Sequence, residues 1–160
     1  MAEPEQLPAI DFLLIADRAE AINGKLYLMG GAWDSISIAD LNAPITFSLA
    51  LGILIPWHAT NERHRMRLVV QSAGGLKLAE LDGELVAGRP PHLEAGTQQR
   101  LLFATNFGIV LPHAGPYAII VYLNEREAKR TSFTVQVGNP GQGGPPMVAP
   151  PIPVTGPPVA

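Results

Sequence analysis

From Ile45 to Ile55 the chain alternates without a break: Ile45, Phe47, Leu49, Leu51, Ile53 and Ile55 are bulky, and Thr46, Ser48, Ala50 and Gly52 between them are small. Only a β-strand turns successive side chains to opposite faces, so a period of two held over this length excludes a helix. The bulky face must be buried against another layer. The small reverse face lets something approach closely, either a loop of the same chain or a second subunit. Pro56 offers no backbone donor and ends the ladder.

The remaining chain reads as shorter strands punctuated by turn residues. Ile10, Phe12, Leu14 and Ala16 form one fully apolar face of a first strand, whose other face, Asp11, Leu13, Ile15 and Asp17, is apolar only in its middle. Asn23-Gly24 accepts the positive φ angles of a tight hairpin and leads into a strand from Lys25 to Gly30. Ile36 and Ile38 mark a short run over Ser35 to Ala39, with Trp33 expected in the core. Arg63, Arg65 and Arg67 alternate with His64, Met66, Leu68 and Val70, so the arginines share one face. Leu76 to Ala87 changes its inward phase near Asp82-Gly83, which predicts a bulge or turn there. Gly88 to Gln99 is a long loop, Leu101 to Leu111 a strand, Asn124 to Ala128 a turn, and Phe133, Val135 and Val137 close the core. Between the Leu111 strand and the next, Pro112 and Gly115-Pro116 turn the chain, and Tyr117 opens a strand in the manner of a tyrosine corner, its hydroxyl bonding to upstream backbone.

These elements predict an antiparallel, Ig-like, Greek-key β-sandwich of about 8–9 strands over residues 8–137. A core of that size buries roughly 65–70% of the unfolded surface. From Gly138 to Ala160, thirteen of 23 residues are Gly or Pro and none is charged. Such composition cannot offset its ordering entropy, so 138–160 is expected to be a disordered tail or tether; Pro150 to Pro153 is its one PxxP. The N-terminus carries acidic residues where a signal peptide needs positive charge, and no apolar run is long enough to span a bilayer, so a cytoplasmic protein without membrane attachment is expected. The net charge of −3 argues against nucleic acid as a partner. The chain has no cysteine, which removes thiol nucleophiles and Cys-based zinc sites. Arginine outnumbers lysine eight to three, as in GC-rich bacterial coding sequences.

Chemistry-bearing residues gather in two places. His58, Glu62 and His64 flank one loop but match no metal-ligand spacing, and His64 beside Met66 reads as a hydrogen-bonded inward histidine. Trp57, directly after Pro56, is the better candidate for an exposed aromatic anchor. Arg63, Arg65 and Arg67 present guanidinium groups able to grip carboxylates or phosphates bidentately, against the alternative of a charged outer face or an edge strand defended by charge. The candidate binding set is therefore Trp57, His58, Asn61, Arg63, Arg65, Arg67, Arg89 and Arg100. There is no GxSxG, HExxH or phosphate-cradling glycine loop, and no catalytic residue, metal ligand or cofactor is assigned.

Four segments carry a resemblance: Ala16-Asp17 with Asn23 to Asp34 (NGKLYLMGGAWD), Ile55 to Arg65 (IPWHATNERHR), Val86 to Pro91 (VAGRPP) and Leu111 to Glu125 (LPHAGPYAIIVYLNE). Together they are similar to a family of small uncharacterised proteins from actinobacteria and related bacteria, filed as a domain of unknown function. The resemblance covers most of Ile10 to Val137 and implies a β-sandwich-like domain; it implies no mechanism. The expected function is a non-enzymatic binding or assembly module, with a protein partner or self-association. The alternative is a small metal-dependent or other hydrolase using loops 57–64 and 88–100.

Overall fold

A computed structural model describes residues 6–139. Nine strands form two sheets: β1 (Ala9–Ile22), β2 (Lys25–Gly31), β3 (Ser35–Ile38), β4 (Ile45–Ile55), β5 (His64–Ser72), β6 (Lys77–Leu85), β7 (Gln99–Ile109), β8 (Gly115–Leu123) and β9 (Arg126–Val137). A single 3-10 turn, Trp57–Ala59, interrupts them. The first sheet has the order β2-β1-β4-β7 and the second β3-β9-β8-β5-β6. All neighbours run antiparallel except β3, which lies parallel to β9. Among the described residues no helix is long and apolar enough to cross a membrane. The expected tail lies, from residue 140 onward, outside the described residues.

The inner faces follow the alternation. Phe47, Leu49, Leu51, Ile53 and Ile55 of β4 oppose Leu68 and Val70 of β5 and Ile119, Val121 and Leu123 of β8, all essentially without solvent exposure. One end of this core is aromatic. Phe47 of the first sheet meets Phe133 of the second at 5.7 Å, and Trp33 stands edge-on to both. Tyr117 stacks on Phe133 at 5.5 Å and Phe107 on Phe47 at 5.7 Å. Each such pair contributes about 0.5–1.5 kcal/mol beyond its area, so this cluster fixes how the sheets meet at that end.

Tyr117 is a tyrosine corner. Its hydroxyl donates to the His113 carbonyl at 2.6 Å and stands 2.7 Å from the His113 ring Nδ1. The chain thus leaves β7 in one sheet, crosses, and enters β8 in the other with its turn tied back onto the buried ring. Two of the hairpin turns are of the tight type with positive φ at each central residue: Asn23 and Gly24 before β2, Asn124 and Glu125 before β9. The second is shorter than the Asn124 to Ala128 turn expected, because Asn124 and Glu125 both take the left-handed conformation and Arg126 already pairs with Leu123.

Two expectations are corrected. The register of β1 against β4 shifts between Ile10 and Phe12, so Leu13 and Ile15 join Ile10 in the main core, while Phe12 and Leu14 turn to the outer face. The fully apolar alternation is therefore not the buried one. In β6 the pairing with β5 runs regularly through Asp82 and Gly83; the shift lies where Gln71 follows Val70, opposite Lys77 and Ala79. It brings Leu78 inward beside Ala79 and Leu81.

The small reverse face of β4 is covered by the chain itself. Phe12 lies over Gly52, where an added Cβ would fall 2.4 Å from the ring. Ala16, Ala19 and Ala50 form a second buried cluster with Leu14, Leu26, Leu28 and Ala104 packed against it. Here the β1–β2 ribbon bends so that β2 approaches β7 across the outside of the sheet. Ser48 completes this layer by a hydrogen bond to Asn106 of β7.

Candidate functional site

The eight candidate residues do not converge. Trp57, Asn61 and Arg89 gather at one end of the sandwich. The Arg89 guanidinium lies over the Trp57 ring at 4.5 Å, donates from Nη2 to the Trp57 carbonyl at 2.9 Å and from Nε to Thr60 Oγ1. Trp57 is half-buried beneath it rather than a free anchor. Asn61 takes φ of 62°, and its N–H donates to the Ala87 carbonyl at 2.7 Å. These contacts clamp the 3-10 turn to the start of the long loop.

His64 is 3% exposed. Its Nε2 is 2.7 Å from the Ala59 carbonyl and its Nδ1 is 3.1 Å from Asn124 Nδ2. As the Nε2–H tautomer it donates to the first and accepts from the second, so both ring nitrogens are used. His58 lies exposed on the rim of a shallow polar hollow of about 310 Å³ with Glu62, Arg63 and His64. Among the described residues no three His, Asp or Glu side chains stand together as metal ligands.

Arg63, Arg65 and Arg67 do share the outer face of β5, and each meets carboxylates of its own chain. Arg65 forks over Asp82 at 3.0 and 2.5 Å and reaches Glu125 at 2.9 Å. Arg67 stands 3.8 Å from both Glu80 and Glu125 and 4.4 Å from the centre of the Tyr122 ring; Arg63 is 3.5 Å from Glu84. The cross-strand pairing of β5 with β6 puts Arg65 and Arg67 beside Glu84 and Asp82, so the stripe is laced by a facing stripe of acids. Hydrogen-bond donation from Arg65 holds the Asp82 carboxyl below its ordinary value, and the same bond, with the charges of Asp82 and Glu125, raises Arg65.

Arg100 stands apart. It pairs with Asp11 at 2.6 Å and borders a cleft of about 560 Å³ on the open side of the sandwich, between the free edges of β6 and β7. Ile53, Met66, Leu81, Leu85, Leu101 and Phe103 make it apolar, and the tip of the first hairpin, at Ala21 and Gly24, forms its lip. Leu81, Leu101 and Phe103 keep part of their surface in solvent because no third strand covers them. Gly83 sits in the β6 wall, and a Cβ added there would meet nothing within 4 Å. No candidate residue other than Arg100 pointed to this cleft. The uncharged, proline-free run from Leu101 to Leu111 reads as an interior strand and gives no signal of an edge.

The strand order defines the class of protein. β1, β4 and β7 stand where strands A, B and E of an immunoglobulin domain stand, and β5, β8 and β9 where C, F and G do, with the tyrosine corner at the start of F. It is an immunoglobulin-like β-sandwich with an added hairpin strand, β2. The chain belongs to DUF6941, a family of unknown function, whose model matches residues 11–136. No curated protein matches it. Among solved structures it is similar to an immunoglobulin-like protein from Pseudomonas aeruginosa, with 12% identity, 84% of this chain and 100% of the other covered, and a TM-score of 0.38. It is also similar to the alkylpurine DNA glycosylase AlkC of Pseudomonas fluorescens bound to DNA containing an abasic site analogue, with 12% identity, 81% of this chain covered and a TM-score of 0.39; the chain spans 30% of that protein. A third is the CARDB domain of a Pyrococcus furiosus protein in complex with di-metal ions, with 12% identity, coverage of 85% and 95%, and a TM-score of 0.36.

Proposed function

We propose that this protein is a non-enzymatic binding module and that the cleft between β6 and β7 is its binding surface. The observation that carries the reading is the cleft itself: an open concavity with an apolar floor, flanked by two strand edges whose outward N–H and C=O groups have no ladder partner among the described residues. Apolar area and unpaired backbone groups are what a protein segment satisfies together. The imidazole of His64 and the guanidinium of Arg89, around the loop at 57–64, support the same reading, since both spend their polar atoms on the fold.

Gly83→Arg fills the cleft from its β6 wall at a position with room for a side chain. Partners captured on immobilised full-length protein are expected to be lost from this variant while its melting temperature stays unchanged. Equal retention by both proteins, or no partner held by either, a second copy of the chain included, overturns the assignment.

A further inference from the structure

Among the described residues four strand edges have no pairing strand: β2 and β7 in the first sheet, β3 and β6 in the second. Three are protected in the ways proteins usually protect them. β6 carries Lys77, Glu80, Asp82 and Glu84; β3 has four residues; β2 begins at Lys25 and ends in Gly30-Gly31, with Gly30 at φ of 58°. β7 has only one of these, the charge of Arg100 at its start. It runs for 11 residues, pairs with β4 in unbroken register along its whole length, and from Leu101 to Ile109 has neither charge nor proline. Its inward residues Leu101, Phe103 and Phe107 are only half-buried.

We infer that β7 is a self-pairing edge, and that a second copy of this chain adds its own β7 antiparallel to it across a two-fold axis. What β7 demands of a partner is an extended, uncharged, proline-free strand with bulky residues on alternate positions, and β7 meets that demand itself. Pairing centred on Thr105 sets Phe103 of one copy opposite Phe107 of the other, and Leu101 opposite Ile109, on the core face; on the outer face it sets Leu102 opposite Gly108. Every bulky inward residue then meets another, as an isologous interface requires. The cleft beside Arg100 to Phe103 supplies the space for the entering strand. Two first sheets thereby become one continuous eight-stranded sheet. This rests on the cleft being a binding surface and names its occupant.

The full-length protein is expected to show twice its chain mass by size-exclusion chromatography with light scattering. The double variant Leu102→Lys, Gly108→Lys, which opposes like charges across the dyad, is expected to show the single mass with its melting curve retained. Because the chain has no cysteine, Thr105→Cys gives a clean second reading: oxidation should cross-link it to dimer, whereas Met29→Cys on the β2 edge should not. A monomer at the highest attainable concentration, or a dimer that survives the double variant and does not cross-link at position 105, overturns the inference. A dimer whose captured partners are indifferent to Gly83→Arg sinks the cleft reading beyond self-pairing alone. A monomer that loses a partner on Gly83→Arg sinks self-pairing alone.

Discussion

Tyr117 shows how one side chain can fix a crossing. Its ring is 1% exposed and stacked on Phe133, while its hydroxyl holds the backbone of His113. The two roles separate under mutation. Tyr117→Phe keeps the ring and loses the hydroxyl bonds, an expected cost of about 1–2 kcal/mol in urea unfolding. Tyr117→Ala also empties the ring's place and should cost about 3–5 kcal/mol. Equal losses in the two variants would show that the ring contributes nothing beyond its hydroxyl. At the same scale, the arginine stripe illustrates why residue type alone does not define a site. Three guanidinium groups on one face look like a grip until the pairing of β5 with β6 places Glu80, Asp82 and Glu84 beside them.

At the scale of elements, β4 is the strand on which local and global demands agree. Its bulky residues build the main core, and its small ones admit Phe12 and the bent β1–β2 ribbon. Gly52→Ala tests the second half of that statement. The new methyl carbon must displace the Phe12 ring, so we expect a loss of about 1–3 kcal/mol by chemical denaturation, where a strand alanine on an open face would be neutral or stabilising. β4, the Asn23-Gly24 hairpin and the tyrosine corner were legible in the sequence because each depends on neighbours along the chain. The phase of β1 and the irregularity of β6 were not, since each is a register shift set by the partner strand: Leu51 to Ile53 for Ile10 to Phe12, and Val70-Gln71 for Leu78. The cleft was the least legible feature, because nothing within Leu101 to Phe103 says that β7 will lie at an edge facing β6.

For the whole molecule, the strand order makes protection against hydrogen exchange uneven. β4, β5 and β8 each have neighbours on both sides and line the main core, so their amides should exchange slowest. The outward amides of β6 should exchange fast. Those of β7 should match β6 in dilute protein and slow as concentration rises, a change that mass spectrometry of peptides spanning Gln99 to Ile109 would read; concentration-independent fast exchange there would contradict strand addition.

The position of β9 bears on the order of events during synthesis. Although it is the last of the described strands to be made, it occupies an interior slot between β3 and β8. A nascent chain that has emerged only as far as Leu123 therefore has β8 with one flank bare, including Ile120 and Tyr122 on its outward side, and β3 with no partner at all. The second sheet closes in a single late insertion, in which residues 134–137 join residues 35–38 from the opposite end of the chain. The interval between translation of β8 and release of Val137 is thus the period in which this protein most needs shielding from other chains.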